Sequence, residues 1–175
     1  SAETEIDWGN DIWSLFTDMA DAKDAFVTQV QRISDKLGVK DHVFCLTDHA
    51  GNFRKQVDPT YKSNRKGTRK PVGYVALCDW VRDNYRTFTK PLLEADDCLG
   101  ILATMPVNKG KCIVVSDDKD LLSIPSHLYR PTKDETHHIS LEDADKAFLT
   151  QVLCGDVTDG YKGCPGIGPK TSEKI

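Results

Sequence analysis

The chain has 175 residues, of which 29% are charged and 39% are hydrophobic, and its formal net charge is −4. This length suits one domain with a buried core, and no apolar run approaches the roughly 18 residues of a membrane span; no signal-peptide pattern opens the chain. The six cysteines include no C-x-x-C pair, which argues against a cysteine zinc site and indicates reduced thiols in a cytoplasmic protein.

The first elements predicted are a helix and a strand. Apolar residues at helical spacing predict one amphipathic helix from Asp11 to Leu37, ended by Gly38, after a polar stretch over 1–10. A buried strand over 42–47 follows and ends at Asp48. We expect this aspartate at the carboxyl end of a strand in a parallel sheet, where functional groups gather.

The next segment, residues 54–70, concentrates positive charge. It carries seven basic residues and one acid, Asp58, so its net charge is +6 and the remainder carries −10. We predict an exposed segment that binds nucleic acid, because cations contact phosphates while rings such as Phe53 and Tyr61 stack on bases. A solvated loop without function is the alternative. The predicted DNA-binding side chains are Arg54, Lys55, Tyr61, Lys66, Arg69 and Lys70.

The middle of the chain alternates helices and strands. The pattern predicts a helix over 74–85, an apolar stretch over 88–93 that forms another strand, and a helix from Glu94. The run 112–115 suits an interior strand of a parallel sheet, and an acidic tip over 117–120 follows it.

The remaining elements are shorter. We predict a short helix at 121–122, a short strand at 128–129 and a solvated loop containing His137 and His138, which we favour over a metal site there. Ser140 caps a helix that ends at Gly155.

The acidic residues occupy positions that a sheet can bring together into one site. They follow predicted strands, open a helix, or precede a glycine-rich turn, and an α/β sheet can bring such ends together. Helix capping explains part of the set, but three acids at one helix start exceed what capping needs. Oxygen ligands of this kind suit hard divalent ions, Mg²⁺ or Mn²⁺ above all. Two such ions about 4 Å apart can hydrolyse a phosphodiester.

The C-terminal stretch resembles half of a helix-hairpin-helix. Gly166 and Gly168 allow a phosphate to approach the backbone, and N–H groups at the start of the next helix, near Lys170, can bind it. The isolated glycine pair is weak evidence, but the longer string from Gly155 to Thr171 is specific.

Together these motifs resemble the 5′-nuclease superfamily of flap endonucleases and 5′→3′ exonucleases, and within it the exonucleases of short-tailed, podovirus-type phages. The likeness covers nearly the whole chain and is carried by DPTYKSNR at 58–65, KPVGY at 70–74, EADD at 94–97, SDDKD at 116–120 and GDVTDG at 155–160. It implies an α/β fold: a PIN-like three-layer sandwich with a mostly parallel central sheet. It implies a nuclease core over 1–155 with an arch at about 54–70, and a hairpin element beginning over 156–175.

The resemblance also assigns roles to individual residues. Glu94, Asp96 and Asp118 would hold a first metal with Asp48 nearby, and Asp97, Asp120, Asp156 and Asp159 would complete or support a second. Lys62 and Arg65 match arch residues that contact the scissile phosphate. Asp117 matches no ligand. The resemblance further suggests K⁺ at the hairpin, DNA with a 5′ end or flap as the partner, and the cytoplasm of an infected bacterium as the location; an RNA–DNA hybrid is a further candidate substrate.

One departure from the family pattern shapes our expectation of activity. The family begins with an apolar strand that ends in a metal-binding aspartate, and Ser1 aligns just after it; the family also continues past Ile175. We therefore expect a fragment or relic with a weak or slow site. Two other hypotheses stay open: a DNA-structure binder without turnover, and a PIN-type ribonuclease, against which the basic segment and the glycine turn both argue.

Overall fold

The computed structural model describes residues 3–63, 67 and 69–172, and confirms the α/β class. The chain divides into two compact units, Ser1–Leu46 with Gly67–Phe88, and Thr47–Lys66 with Thr89–Ile175. The helices are α1 (Met19–Leu37), α2 (Phe53–Val57), α3 (Tyr74–Asn84), α4 (Ala95–Thr104), α5 (Leu141–Cys154) and α6 (Pro169–Ser172), with a 3₁₀ helix at Lys119–Ser123. The strands are β1 (Glu3–Asp7), β2 (Trp13–Thr17), β3 (Phe44–Cys45), β4 (Thr87–Phe88), β5 (Ile113–Val115), β6 (Ser126–Arg130) and β7 (Glu135–Ile139).

The first unit opens with a β-hairpin where we predicted a polar stretch and the start of a helix. Strands β1 and β2 pair antiparallel, and the turn between them includes Asn10 and Asp11 at positive φ. The prediction that the first helix begins at Asp11 is therefore wrong. Helix α1 begins only after Asp18, whose side chain accepts hydrogen bonds from two backbone amides of the first turn. Strand pairing and this cap override the helical spacing of the apolar residues before them.

A cluster of half-buried aromatic rings joins α1, β3 and α3 in the first unit. The ring of Phe26 on α1 lies 5.2 Å from that of Phe44 and 5.6 Å from that of Tyr85, and Trp80 of α3 packs edge-on against Phe26. Strands β3 and β4 pair in parallel beside it. The predicted helix over 74–85 is confirmed, whereas the strands on either side are shorter than predicted.

The second unit contains a three-stranded sheet. Strand β6 lies in the middle, parallel to β5 and antiparallel to β7. Val114, Leu128 and Ile139 of the three strands point to the buried face, where α4, the 3₁₀ helix and α5 add Ala103, Leu121 and Ala144. The predicted elements at 94–103, 112–115 and 140–155 are thus confirmed.

Two predictions for the second unit are wrong. His137 and His138 belong to β7 and do not form a loop, because β7 pairs along the full length of β6. Leu92 and Leu93 form no strand: Leu92 has a φ of 64°, in a turn that exposes its amide to the Asp48 carboxylate. Across the described residues the strands form three small sheets, with parallel pairing in β3–β4 and β5–β6.

The basic segment also differs from the exposed chain that we predicted. Its beginning forms the short helix α2, capped by the side chain of Asn52, and Arg54, Tyr61 and Lys62 contact acidic side chains of the same unit. Asn64, Arg65, Lys66 and Thr68 lie outside the described residues. None of the helices in the described part of the chain combines the length and apolar character that crossing a bilayer requires.

Candidate active site

Three structural elements of the second unit bring acidic side chains together. Glu94, Asp96 and Asp97 lie at the start of α4, where a capping box between the first and last of them fixes the helix end. Asp118 and Asp120 follow β5, and the loop after α5 supplies Asp156 and Asp159. Hydrogen bonds and charge–charge interactions link these seven of the eight predicted metal ligands into one acidic site.

Glu94 is held by groups of the basic segment. Its carboxylate accepts hydrogen bonds from Lys62 Nζ at 3.0 and 3.2 Å and from the hydroxyl of Tyr61 at 2.8 Å. Although burial opposes it, the hydrogen bonds from Lys62 and Tyr61 lower the pKa of Glu94. Tyr61 also donates to Asp159 at 3.1 Å, and Lys62 Nζ lies 3.7 Å from the same carboxylate. Tyr61 and Lys62 thus bridge α4 and the loop after α5.

Asp97 forms a two-pronged ion pair with Arg54. The two guanidinium nitrogens lie 2.8 and 2.6 Å from its two oxygens, and the backbone amide of Glu94 donates to it at 2.9 Å. Burial raises the pKa of Asp97, but Arg54 and the amide outweigh it and the pKa falls. Arg54, which we predicted as a DNA contact, is therefore committed to the acidic site.

Asp156 is the most buried acid of the site, with 5% of its side chain exposed. Lys119 Nζ donates to it at 2.8 Å, Gln151 at 3.2 Å and the amide of Thr158 at 2.7 Å. Burial opposes these contacts, yet Lys119 above all lowers the pKa of Asp156 to about 2. The carboxylate is thus fully charged and anchored at neutral pH.

Asp96 and Asp120 are in the opposite situation. Burial, together with the charges of Asp118 and Glu94, raises the pKa of Asp96 to about 6. Burial and the charge of Asp118 likewise raise the pKa of Asp120, which accepts one hydrogen bond from the neutral amide of Gln151. Within the described part of the chain, no ion pair neutralises Asp96, Asp118 or Asp120. Negative charge therefore accumulates between α4 and the end of β5.

The donor atoms and the charge of the site can be compared with what a divalent metal ion requires. The donors are carboxylate oxygens, which hard ions such as Mg²⁺ and Mn²⁺ prefer, and a bound cation would relieve the repulsion around Asp96. The side-chain positions do not yet form a complete metal site, because in the described ranges no three His, Cys, Asp or Glu residues converge as ligands of one ion. The site fits a divalent cation by donor type and charge, with Lys62 and Arg54 pairing with two of its carboxylates.

Two further aspartates serve local structure. Asp48 accepts hydrogen bonds from the amides of Leu92 at 2.7 Å and Ala50 at 2.9 Å, so its role near a metal remains a prediction. Asp117 is bound by the amide and hydroxyl of Thr132 at 3.0 and 2.7 Å. Thr132 lowers the pKa of Asp117, and this carboxylate stabilises the turn after β6.

The other predicted DNA-binding side chains have varied surroundings. Lys55 is exposed on α2. In the first unit, Arg69 is paired with Glu3 through contacts of 2.9 and 2.6 Å, and Lys70 Nζ lies 4.4 Å from the centre of the Tyr74 ring. Arg65 and Lys66 are predictions that fall outside the described residues.

A cleft of about 330 Å³ adjoins the acidic site. It is lined by Asp58, Tyr61, Gln151, Val152, Asp156, Asp159, Gly160, Tyr161 and Lys162. Tyr61 forms the boundary that the cleft shares with Glu94. An extended ligand in the cleft would therefore lie directly beside the carboxylates.

The glycine-rich turn after this cleft leads from α5 into α6. Gly166 has a φ of 79°, which favours glycine, and no heavy atom lies within 4 Å of a Cβ built at Gly166 or Gly168. Lys170 follows in α6, which packs against α5. The open space at both glycines is compatible with a backbone that binds a phosphate, and that role stays a prediction.

Sequence reasoning missed the internal partners of the acids. Lys119 lies between two predicted ligands in the sequence, Asp118 and Asp120. Its positive charge was the one sequence signal that a lysine of the chain would pair with an acid of the site, which proves to be Asp156. Gln151, on α5, bridges Asp120 and Asp156 at 2.9 and 3.2 Å. No motif pointed to this glutamine.

Comparison with known proteins establishes the family. Residues 18–148 match the model of the 5′-3′ exonuclease, N-terminal resolvase-like domain, so the chain belongs to the 5′-3′ exonuclease family. It is 35% identical to the exodeoxyribonuclease of Enterobacteria phage T3 and 34% to the exonuclease of Escherichia phage T7. Each match covers 96% of this chain, and 58% and 59% of those proteins.

A structural relative supports the same fold. A phage T5 flap endonuclease, solved with DNA and metal ions, superposes with a TM-score of 0.68 at 18% identity, over 86% of this chain and 64% of that one. The predicted superfamily and its PIN-like α/β fold are both confirmed. The chain spans less than two thirds of the length of these relatives.

Proposed function

We propose that this chain carries the catalytic site of a metal-dependent 5′→3′ exonuclease or flap endonuclease that hydrolyses phosphodiester bonds of DNA. The observation that carries the proposal is the accumulation of charge around Asp96, Asp118 and Asp120 next to the cation Lys62. Relatives named as exonucleases over nearly the whole chain support it. Acidic oxygens for a cation, beside a positive group for a phosphate, are what hydrolysis of a nucleic-acid backbone needs.

The proposed metal ligands divide between two ions, Mg²⁺ or Mn²⁺. Glu94, Asp96 and Asp118 serve the first, with Asp48 near it, and Asp97, Asp120, Asp156 and Asp159 complete or support the second. Such a pair of ions supplies an activated water and stabilises the leaving oxygen. The protein contributes the fixed carboxylates, and Lys119 and Gln151 hold Asp156 and Asp120 in place.

The basic residues are proposed to handle the substrate. Lys62 moves from Glu94 to the scissile phosphate and Arg65 assists, while Tyr61 stacks on a base. Lys55, Lys66, Arg69 and Lys70, with Arg54 once released from Asp97, contact the DNA backbone. Gly166, Gly168 and Lys170 bind duplex phosphates, with K⁺ as the candidate ion. The proposed setting is the cytoplasm of an infected bacterium, and the domain division near residue 155 belongs to the same proposal.

The test compares two neighbouring aspartates. A labelled 5′-flap duplex is incubated with the chain in Mg²⁺, in Mn²⁺ and in EDTA. Asp118→Ala should lower the cleavage rate by roughly 10³-fold or more while sparing DNA binding. Asp117→Ala is the matched control. It removes the same charge at the neighbouring position, and the carboxylate it removes is bound by Thr132. Full activity of Asp118→Ala would overturn the site assignment.

A second function, a DNA-structure binder without turnover, is favoured by one observation. Lys62 and Arg54 form ion pairs with Glu94 and Asp97, and these pairs compete with metal. The same flap substrate separates the two functions. Salt-sensitive binding in a titration, with no cleavage in either metal, would favour the binder, since phosphate contacts alone give the salt dependence.

A further inference from the structure

We propose that His127 and His138 form a zinc-binding clip across the second unit's sheet, separate from the acidic site. The two histidines are direct cross-strand partners in the antiparallel β6–β7 pair. Their Nδ1 atoms lie 3.3 Å apart, and their ring centres are 4.6 Å apart. In the metal-free chain these two nitrogens share one hydrogen bond, and zinc binds both of them when the shared proton moves to Nε2 of the donating ring.

The distance between the nitrogens suits one metal in particular. Two nitrogens bound to zinc at 2.0–2.1 Å with a tetrahedral angle lie about 3.3–3.4 Å apart. A right angle at the metal, typical of square-planar copper or nickel, would bring them to about 2.9 Å. The pair therefore presents one edge of a tetrahedral zinc site without rearrangement of the backbone. It supplies two protein ligands and leaves the other positions to water.

The strand pairing also makes the pair accessible. Leu128, the neighbour of His127, points to the buried face of the sheet, so His127 and His138 share the opposite face. His138 is exposed and His127 is half-buried. An ion can therefore reach the pair from solvent.

The clip lies away from the acidic site. His127 is in register with Ile113 at the beginning of β5, and the acids follow the other end of that strand. The five residue steps from Ile113 to Asp118 correspond to about 16 Å of extended chain. Imidazole nitrogen suits zinc, whereas the carboxylates suit Mg²⁺. The two sites should fill independently.

The experiment measures zinc binding against a chromophoric chelator, with Mg²⁺ in excess to fill the acidic site. It uses the full chain carrying Cys164→Ser, because Cys164 is an exposed thiol. We expect His127→Ala or His138→Ala to lower zinc affinity roughly tenfold or more. His137→Ala is the matched control, since this histidine is on the other face of the same strand. Zinc should also raise the melting temperature of the parent by roughly 5–10 °C at a hundredfold excess over Kd, because it links β6 to β7.

Each outcome decides the proposal. Loss of zinc affinity in both pair variants, with His137→Ala unchanged, supports the clip. Equal affinity in the parent and both pair variants overturns it, and so does an equal loss in His137→Ala. Melting curves in EDTA verify that each variant is folded, and His127→Gln and His138→Gln replace any alanine variant that is not.

Discussion

Two groups of carboxylates in the second unit differ in how their charge is balanced. Glu94, Asp97 and Asp156 are paired with cations of the chain itself, at distances between 2.6 and 3.0 Å, and their pKa values are lowered. Asp96 and Asp120 have no such partner in the described ranges, and their pKa values are raised. Ionised carboxylates of the same site thus stabilise the folded state in one group and destabilise it in the other.

This contrast suggests a division of labour. Paired acids preserve the shape of the site, because each carboxylate is at least four-fifths buried and holds a neighbouring element through an ion pair. Burial and mutual repulsion of the unpaired acids lower the stability of the metal-free protein, and a bound cation would remove this repulsion. This cost is the physical basis for expecting metal at Asp96 and Asp120 first, and at Glu94 and Asp97 only after Lys62 and Arg54 move away.

The strongest challenge to this division is removal of Lys62. In Lys62→Ala we expect cleavage to fall about 10²-fold, since a positive group next to the phosphate is lost, and DNA binding to weaken. Mg²⁺ affinity, measured by calorimetry, should rise roughly fivefold because Glu94 loses a competing partner worth ~1 kcal/mol.

The control for this prediction is Lys146→Ala, which removes an exposed lysine from α5. It should leave cleavage and Mg²⁺ affinity unchanged. If Lys62→Ala binds Mg²⁺ no more tightly than the parent, then Lys62 does not compete with metal for Glu94.

A smaller effect should follow from removal of Arg54. In Arg54→Ala the Asp97 carboxylate remains with 18% of its side chain exposed and without its cation, so we expect a loss of about 2 kcal/mol in the free energy of unfolding in EDTA. Mg²⁺ should restore part of this loss. Urea unfolding with and without Mg²⁺ provides the measurement.

Arg82→Ala is the matched control for Arg54→Ala. Arg82 pairs with Asp79, whose side chain is 61% exposed, so this change should cost about 0.5 kcal/mol or less. Equal losses in the two variants would show that the pair in the site is no more important for stability than one on the surface.

The sequence predicted the acidic residues of the site more successfully than their partners. Most of the acids follow a strand or open a helix, and such positions are visible in apolar patterns; the strand before Asp118 and the helix after Glu94 both formed as predicted. Ion pairs such as Arg54 with Asp97 join residues 43 positions apart, and no local pattern encodes them. The hairpin before α1 was missed for a related reason, since Trp13–Thr17 takes its strand form from pairing with β1.

The smallest effect tests the unpaired group through pH. The pKa of Asp96 is about 6 in the folded chain and about 3.9 when unfolded, so the folded state binds the extra proton and the parent becomes less stable as pH rises through this range. Asp96→Asn removes that penalty. In EDTA we expect it to stabilise the chain by about 1–2 kcal/mol at pH 7, after allowance for solvent screening, and the gain should vanish below about pH 4. Asp117→Asn should change the stability with the opposite sign, because the pKa of Asp117 is lowered.

Saturating Mg²⁺ should shrink the gain of Asp96→Asn, since the metal compensates the charge in the parent alone. A gain that is equal with and without Mg²⁺ would mean that Asp96 carries uncompensated charge for some purpose other than metal binding.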